Sequence, residues 1–267
     1  MRLATSFGHR CRSAVNAFLF PDFFRLKLAT GGMLQARVYR ELFLRARELP
    51  DLDIVEIGAG SGASTIALAL GLREGGRSAK VISVEKCEGG SRSHYGDRET
   101  NLNLLEKNLV QFGVRDRVVL YSHPISLVNG PEVLASVHTG RIGALVHDAD
   151  GRIDRDFALF WPILRPDGLI IIDDFENRPS FRPVSVESPD GGTKSLLTFR
   201  LLTQFMQWGL VARTRVIGNT FFGRKPENAD FGRFDAAVCN RIAAGVEAER
   251  DAYLRLHSRR AEANSRL

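Results

Sequence analysis

The stretch Leu52–Leu72, LDIVEIGAGSGASTIALALGL, decides how the rest of the chain is read. A short apolar run (Ile54, Val55, Ile57) breaks into glycines at alternate positions, Gly58, Gly60 and Gly62, with Ala59 and Ser61 between them. An Ala/Leu-rich helical run follows from Ser64 to Leu72. Strand, glycine turn and helix form the opening unit of a nucleotide-binding α/β sheet. Glycine permits the tight turn and lets backbone N–H groups approach a ligand closely. The new helix then points its positive N-terminal end at that ligand's carboxylate or phosphate.

Gly58, Gly60 and Ala63 also satisfy G-x-G-x-x-[G/A], the dinucleotide fingerprint, so a nicotinamide or flavin cofactor stays open on spacing. Two features favour S-adenosylmethionine. Gly62 adds a third alternating glycine, and Glu56, two residues before the first, could take the cofactor's ammonium. A glycine turn with no ligand is the plain structural alternative.

Outward from this unit the chain alternates strand and helix. Expected strands are Lys80–Glu85, Arg117–Tyr121, Ile142–His147 and Leu169–Asp173, with helices at Arg98–Phe112, Asp156–Leu164 and Ser195–Trp208. Val211–Ile217 and Thr220–Arg224 read as a closing hairpin through Gly218-Asn219. The fold class is α/β, a Rossmann-like, mostly parallel seven-stranded sheet with an antiparallel closing hairpin and helices on both faces. Residues 1–50 read as an N-terminal helical cap, 51–225 as the cofactor-binding core and 226–267 as a C-terminal helical appendage. In the cap, an aromatic-rich cluster is broken by Pro21, and Leu34 to Leu49 recur at helical spacing; the segment either packs on the core or lids the substrate. The charged tail helix from Phe234 either docks on the core or pairs with another subunit, so the terminal helices offer a surface for a homo-oligomer.

Glu85 ends the second strand, 23 residues past Gly62, placed for ribose hydroxyls. The polar loop Lys86–Asp97 either rims the cofactor site or is a surface excursion. Ser122-His123, after the third strand, lies where such sheets reach the nucleoside base. Acid gathers at two further strand ends, His147-Asp148-Ala149-Asp150 and Asp173-Asp174. Neighbouring strands lie about 4.8 Å apart, so Asp148, Asp173 and Asp174 should converge at the cofactor's reactive end. Unpaired carboxylates repel, and a divalent cation with oxygen ligands, Mg²⁺ above all, would relieve them. Alternatively these acids cap a helix or bond loop amides.

VEIGAGSGAST, Glu85, HDAD and LRPDGLIIIDDF together resemble class I S-adenosylmethionine-dependent methyltransferases over roughly Leu34 to Arg224. The similarity is to the cation-dependent O-methyltransferases of catechol and caffeoyl-CoA type and to the bacterial family 24 methyltransferases. The resemblance implies that Glu56, Gly58, Gly62 and Ser64 hold the methionine moiety, Glu85 holds the ribose, and Asp148, Asp173 and Asp174 take metal-ligand positions. Two departures stand out: Asp174 replaces an Asn ligand, and Gly151 stands where those enzymes carry a Lys base. Arg152, next door, stays protonated at any working pH. The base is then unassigned: a cation would acidify the bound acceptor hydroxyl, with His147 or His123 nearby, and Asp148 is the direct general base if no metal binds.

The remaining composition narrows the setting. A net charge of +6 on 267 residues permits an anionic partner, but the basic residues are scattered among acids with no aromatic stripe. This points to a small-molecule acceptor rather than nucleic acid. Cys11, Cys87 and Cys239 are odd in number and far apart, which fits a reducing, cytoplasmic compartment and no zinc site. Arg2, Arg10 and Arg12 faintly resemble a transit peptide but lack a long apolar region, and no run is long enough to span a bilayer. The expected activity is O-methylation of a small hydroxylated acceptor assisted by a divalent cation. Its rivals are a nucleic-acid or protein methyltransferase, a dinucleotide-binding oxidoreductase and a non-catalytic cofactor-binding module.

Overall fold

The computed structural model describes residues 18–87, 97–125, 130–138, 140–185, 188 and 190–264. Seven strands form one sheet: β1 (Asp53–Ile57), β2 (Val81–Val84), β3 (Val118–Tyr121), β4 (Ile142–His147), β5 (Leu164–Ile172), β6 (Ala212–Ile217) and β7 (Thr220–Arg224). Their order is β3-β2-β1-β4-β5-β7-β6; β3 to β5 run parallel, and β7 and β6 close the edge antiparallel. The order reverses between β1 and β4, and the crevice at that switch point is where such sheets bind ligands.

Helices cover both faces. On one lie α1 (Pro21–Thr30), α2 (Ala36–Glu48), α3 (Ala63–Glu74) and α4 (Arg98–Gln111), packed through Leu42, Ile66, Leu72 and Leu105. On the other are α5 (Gly130–Ala135), α6 (Ile153–Phe160), α7 (Lys194–Gln207) and α8 (Ala236–Asn264), packed through Phe157, Phe160, Trp161 and Phe205. Cys239, Ala243 and Val246 of α8 are buried in this second core, so the tail helix docks on its own sheet.

One local expectation is met and two need correction. Pro21 does interrupt the N-terminal run: Phe18 and Leu19 are helical, Phe20 is not, and a new helix opens at Pro21. The proline starts α1 at a first-turn position, where its missing N–H costs nothing. The helix after β4 begins at Ile153 and ends at Phe160, and Arg165–Gly168 belong to β5 rather than to a helix stop. There the pairing jumps from Ile142↔Leu164 to Ala144↔Leu169, a bulge in which Asp167 takes a positive φ of 58°. The polar loop after Glu85 lies outside the described residues from 88 to 96.

Two acids are buried within β1, and each has partners. Asp53 accepts the amides of Lys80 (2.8 Å) and His138 (2.7 Å), tying the start of the strand to its neighbours. Glu56 lies deeper, beneath the glycine turn.

Candidate active site

The glycine-turn end of the crevice is built almost entirely from β1, its turn and β2. Gly58 has φ +94°, and a Cβ there would come within 2.2 Å of the Asp148 carbonyl oxygen. Only glycine lets the end of β1 lie this close to the end of β4. Gly62, φ +92°, is the N-cap of α3. Asn108 of α4 donates to the Ser61 carbonyl at 2.8 Å and pins the turn from behind. Glu85 bridges the turn from the other side, accepting the amides of Gly60 (2.6 Å) and Cys87 (3.0 Å). The acid expected to meet ribose hydroxyls is therefore already tied to the turn that would carry the cofactor.

Glu56 is 1% exposed and accepts hydrogen bonds from Thr65 (2.5 Å) and Ser83 (3.0 Å) on one oxygen. Among the described residues its other oxygen, Oε1, is buried with no hydrogen-bond partner. Burial pushes this carboxyl up to about 7, against the pull of the Ser64, Thr65 and Ser83 hydroxyls. An orphaned carboxylate oxygen at this depth is costly unless a ligand's cation meets it.

The segment before β1 closes the cleft above. Gly32, Met33, Leu34 and Tyr39 face Gly60, Ser61, Ser64 and Asp148 across a space of about 260 Å³. Tyr39 accepts the Leu34 amide at 3.0 Å, and a Cβ on Gly32 would strike its hydroxyl at 2.5 Å. The N-terminal segment thus does both things expected of it: α2 packs on α3, and the loop ahead of it forms a wall of the cleft.

At the other end, Asp148, Asp173 and Asp174 do converge, with one oxygen of each within 4.8 Å of the others. They are not unpaired, however. Lys194, the first residue of α7, places its ammonium 2.8 Å from Asp148 Oδ1 and 2.8 Å from Asp174 Oδ2. Burial works to lower this lysine's pKa, but the two carboxylates outweigh it and hold the ammonium above the usual lysine range. Asp173 accepts from the Thr220 hydroxyl at 2.6 Å, and Asp174, at φ 59°, accepts from Asn219 at 3.1 Å. Burial, then the charges of Asp148 and Asp174, push Asp173 up to about 7. The hairpin turn between β6 and β7 therefore supports the acidic end.

Gly151, whose φ of +82° already favours glycine, also lies against this lysine. A Cβ on Gly151 would lie 3.1 Å from the Lys194 carbonyl oxygen and 3.3 Å from its Cα and Cγ. The position where the enzymes this chain resembles would carry a lysine lies instead against one delivered from α7. Lys194, Asn219 and Thr220 went unread in the sequence. A lysine directly after the Gly191-Gly192-Thr193 turn at a helix start was the one available signal.

The histidines sit differently. His147 is 2% exposed, its Nε2 2.8 Å from Asp156 Oδ2 beneath the sheet, because alternation along β4 turns it into the core. A role as base at the acceptor does not follow from that position. His123 packs its ring against Tyr121, 5.7 Å between centroids, and the Ser122 carbonyl accepts from Arg98. Both stay beyond β3, away from the acidic end.

Residues 55–175, from β1 to just past β5, match the sequence model of a family described as a methyltransferase domain. No curated protein matches the chain. Among solved structures, it resembles cofactor-bound Rv0187 from MTB at 20% identity and a TM-score of 0.56, covering 80% of this chain and 97% of that one. It also resembles the O-methyltransferase TomG from Streptomyces achromogenes, in complex with SAM, at 17% identity and 0.55 over 80% and 96% of the chains. A third is an O-methyltransferase from Bacillus cereus in complex with SAH, at 17% and 0.52 over 81% and 89%. The strand order, the glycine turn at the switch point and these likenesses agree: the chain has the class I methyltransferase fold, and its β1–β5 stretch is similar to a methyltransferase domain.

Proposed function

We propose that the protein transfers the methyl group of S-adenosylmethionine to an oxygen of a small hydroxylated acceptor. The observation that carries this reading is the orphaned Oε1 of Glu56 under the glycine turn. A cofactor ammonium would satisfy it, and a nicotinamide dinucleotide has none to offer at that end. Gly58 to Ser64 would cradle the methionine moiety, Glu85 the ribose and Ser122-His123 the base. The SAM- and SAH-bound neighbours support the same choice.

When bound, the cofactor supplies a methyl group already activated on a sulfonium. The chain's task is then orientation: Asp148, adjoining both the glycine turn and the acidic end, positions the acceptor beside the cofactor cleft. Tyr39 and the Gly32–Leu34 wall keep water out. Lys194 is held charged by two carboxylates and does not act as a base. The acceptor's proton passes to a carboxylate, Asp148 or Asp173; the latter, near 7, is matched to a proton transfer at neutral pH. Three carboxylates at this end also disfavour a phosphate backbone, which supports a small acceptor over nucleic acid.

A divalent cation fits this end poorly as it is built. The carboxylates have the right chemistry, but two of the three already hold the Lys194 ammonium, and ion and ammonium compete for the same oxygens.

The test is methyl transfer from labelled S-adenosylmethionine to a panel of catechols and other hydroxylated aromatics. Label on an acceptor oxygen is expected, and its loss in Asp148→Asn. Transfer confined to nucleic acid or protein would overturn the small-acceptor reading.

A further inference from the structure

Lys194 is held in place by its surroundings. It follows a turn in which Gly192 has φ +74°, and a Cβ there would meet the Ser180 carbonyl oxygen at 2.1 Å. Asp190 caps that turn, its Oδ2 accepting the Lys194 amide at 3.2 Å and its carbonyl accepting the Thr193 hydroxyl at 2.7 Å. One turn further on, Leu196 and Leu197 are buried in the core and fix the helix. The ammonium that results lies equally far, 2.8 Å, from oxygens on the ends of two different strands. A metal ion bridging those oxygens would need the same space. Two cations sharing it would repel strongly in this half-buried crevice.

We propose that Lys194 is the resident cation of this crevice and excludes a divalent metal from Asp148, Asp173 and Asp174. The ammonium neutralises the acidic end and fixes Asp148 and Asp174 in register. Two of its three N–H groups go to these carboxylates, and the third can receive an acceptor oxygen. Only that last role rests on the methyl-transfer reading. Gly151 belongs to the device, since a side chain there would push on Lys194 and reopen the carboxylates.

The test is a Mn²⁺ titration of the full chain followed by electron paramagnetic resonance, with S-adenosylhomocysteine calorimetry on the same samples. The wild type should show no Mn²⁺ site tighter than about millimolar, whereas Lys194→Met should gain one, tighter by about a hundredfold. Lys194→Arg, which keeps the charge, should exclude Mn²⁺ as the wild type does. Should the Met variant fail to fold by circular dichroism, Lys194→Gln takes its place. A micromolar Mn²⁺ site in the wild type overturns the proposal, and so does a folded neutral variant that gains none. Absence of S-adenosylhomocysteine binding would sink the methyl-transfer reading and leave the Mn²⁺ result standing.

Discussion

The two ends of the crevice are made in opposite ways. The glycine-turn end comes from one run of about thirty residues, Asp53 to Glu85, and its parts are largely backbone: a turn, a helix start and amides held by Glu85. The acidic end is gathered from β4, β5, the start of α7 and the β6–β7 turn, and it is made of side-chain charges. Backbone built by glycine at fixed spacing leaves a pattern in the sequence. A balance of charges across seventy residues does not, because its members are contiguous only after folding.

The largest expected effect comes where the ends touch. Gly58→Ala forces a side chain into φ +94° and against the Asp148 carbonyl, and should cost about 4 kcal/mol in denaturant unfolding. A loss under about 1 kcal/mol would mean that the two ends are not rigidly joined.

Glu56 sharpens the glycine-turn end alone. Its folded pKa, about 7, lies above its ordinary value of 4.5, so the folded cofactor-free chain holds this proton longer than the unfolded one. Stability from this group is full below about 4.5 and is lost as pH rises through 7, by about 1–3 kcal/mol. Glu56→Gln should flatten that fall, as read by urea unfolding between pH 5 and 8. Superimposable profiles for the two proteins would remove the buried carboxyl from the account.

Glu85→Ala should weaken S-adenosylhomocysteine binding by about 1–3 kcal/mol, since it removes charge-assisted bonds. Unchanged affinity by calorimetry would leave Glu85 as a brace for the Gly60 amide and no more. The smallest effect is reserved for the acidic end. Thr220→Val deletes the donor to Asp173 and should cost about 1 kcal/mol of stability while leaving S-adenosylhomocysteine affinity unchanged. A drop in that affinity would show that the ends are coupled after all.

The same contrast explains what could be read beforehand. Alternation of short apolar runs with helical spacing is local, and it placed β1, β2, β4, β7 and the hairpin to within a residue or so. The Arg165–Gly168 bulge looked like a helix stop because Pro and Gly signal both. Asp148, Asp173 and Asp174 were legible as strand-end acids. Their partner was not: Lys194 lies twenty residues beyond Asp174 and meets the acids only once α7 has packed on the sheet. His147 read as catalytic from its neighbours in sequence, whereas strand alternation sends it to Asp156.

The proposed methyl transfer requires the cleft under the Gly58–Gly62 turn to take S-adenosylmethionine. Isothermal calorimetry of the full chain with S-adenosylhomocysteine, and separately with NADH, tests it most directly. The account predicts one micromolar site for S-adenosylhomocysteine and no heat from NADH. Tight NADH binding with no response to S-adenosylhomocysteine would contradict it.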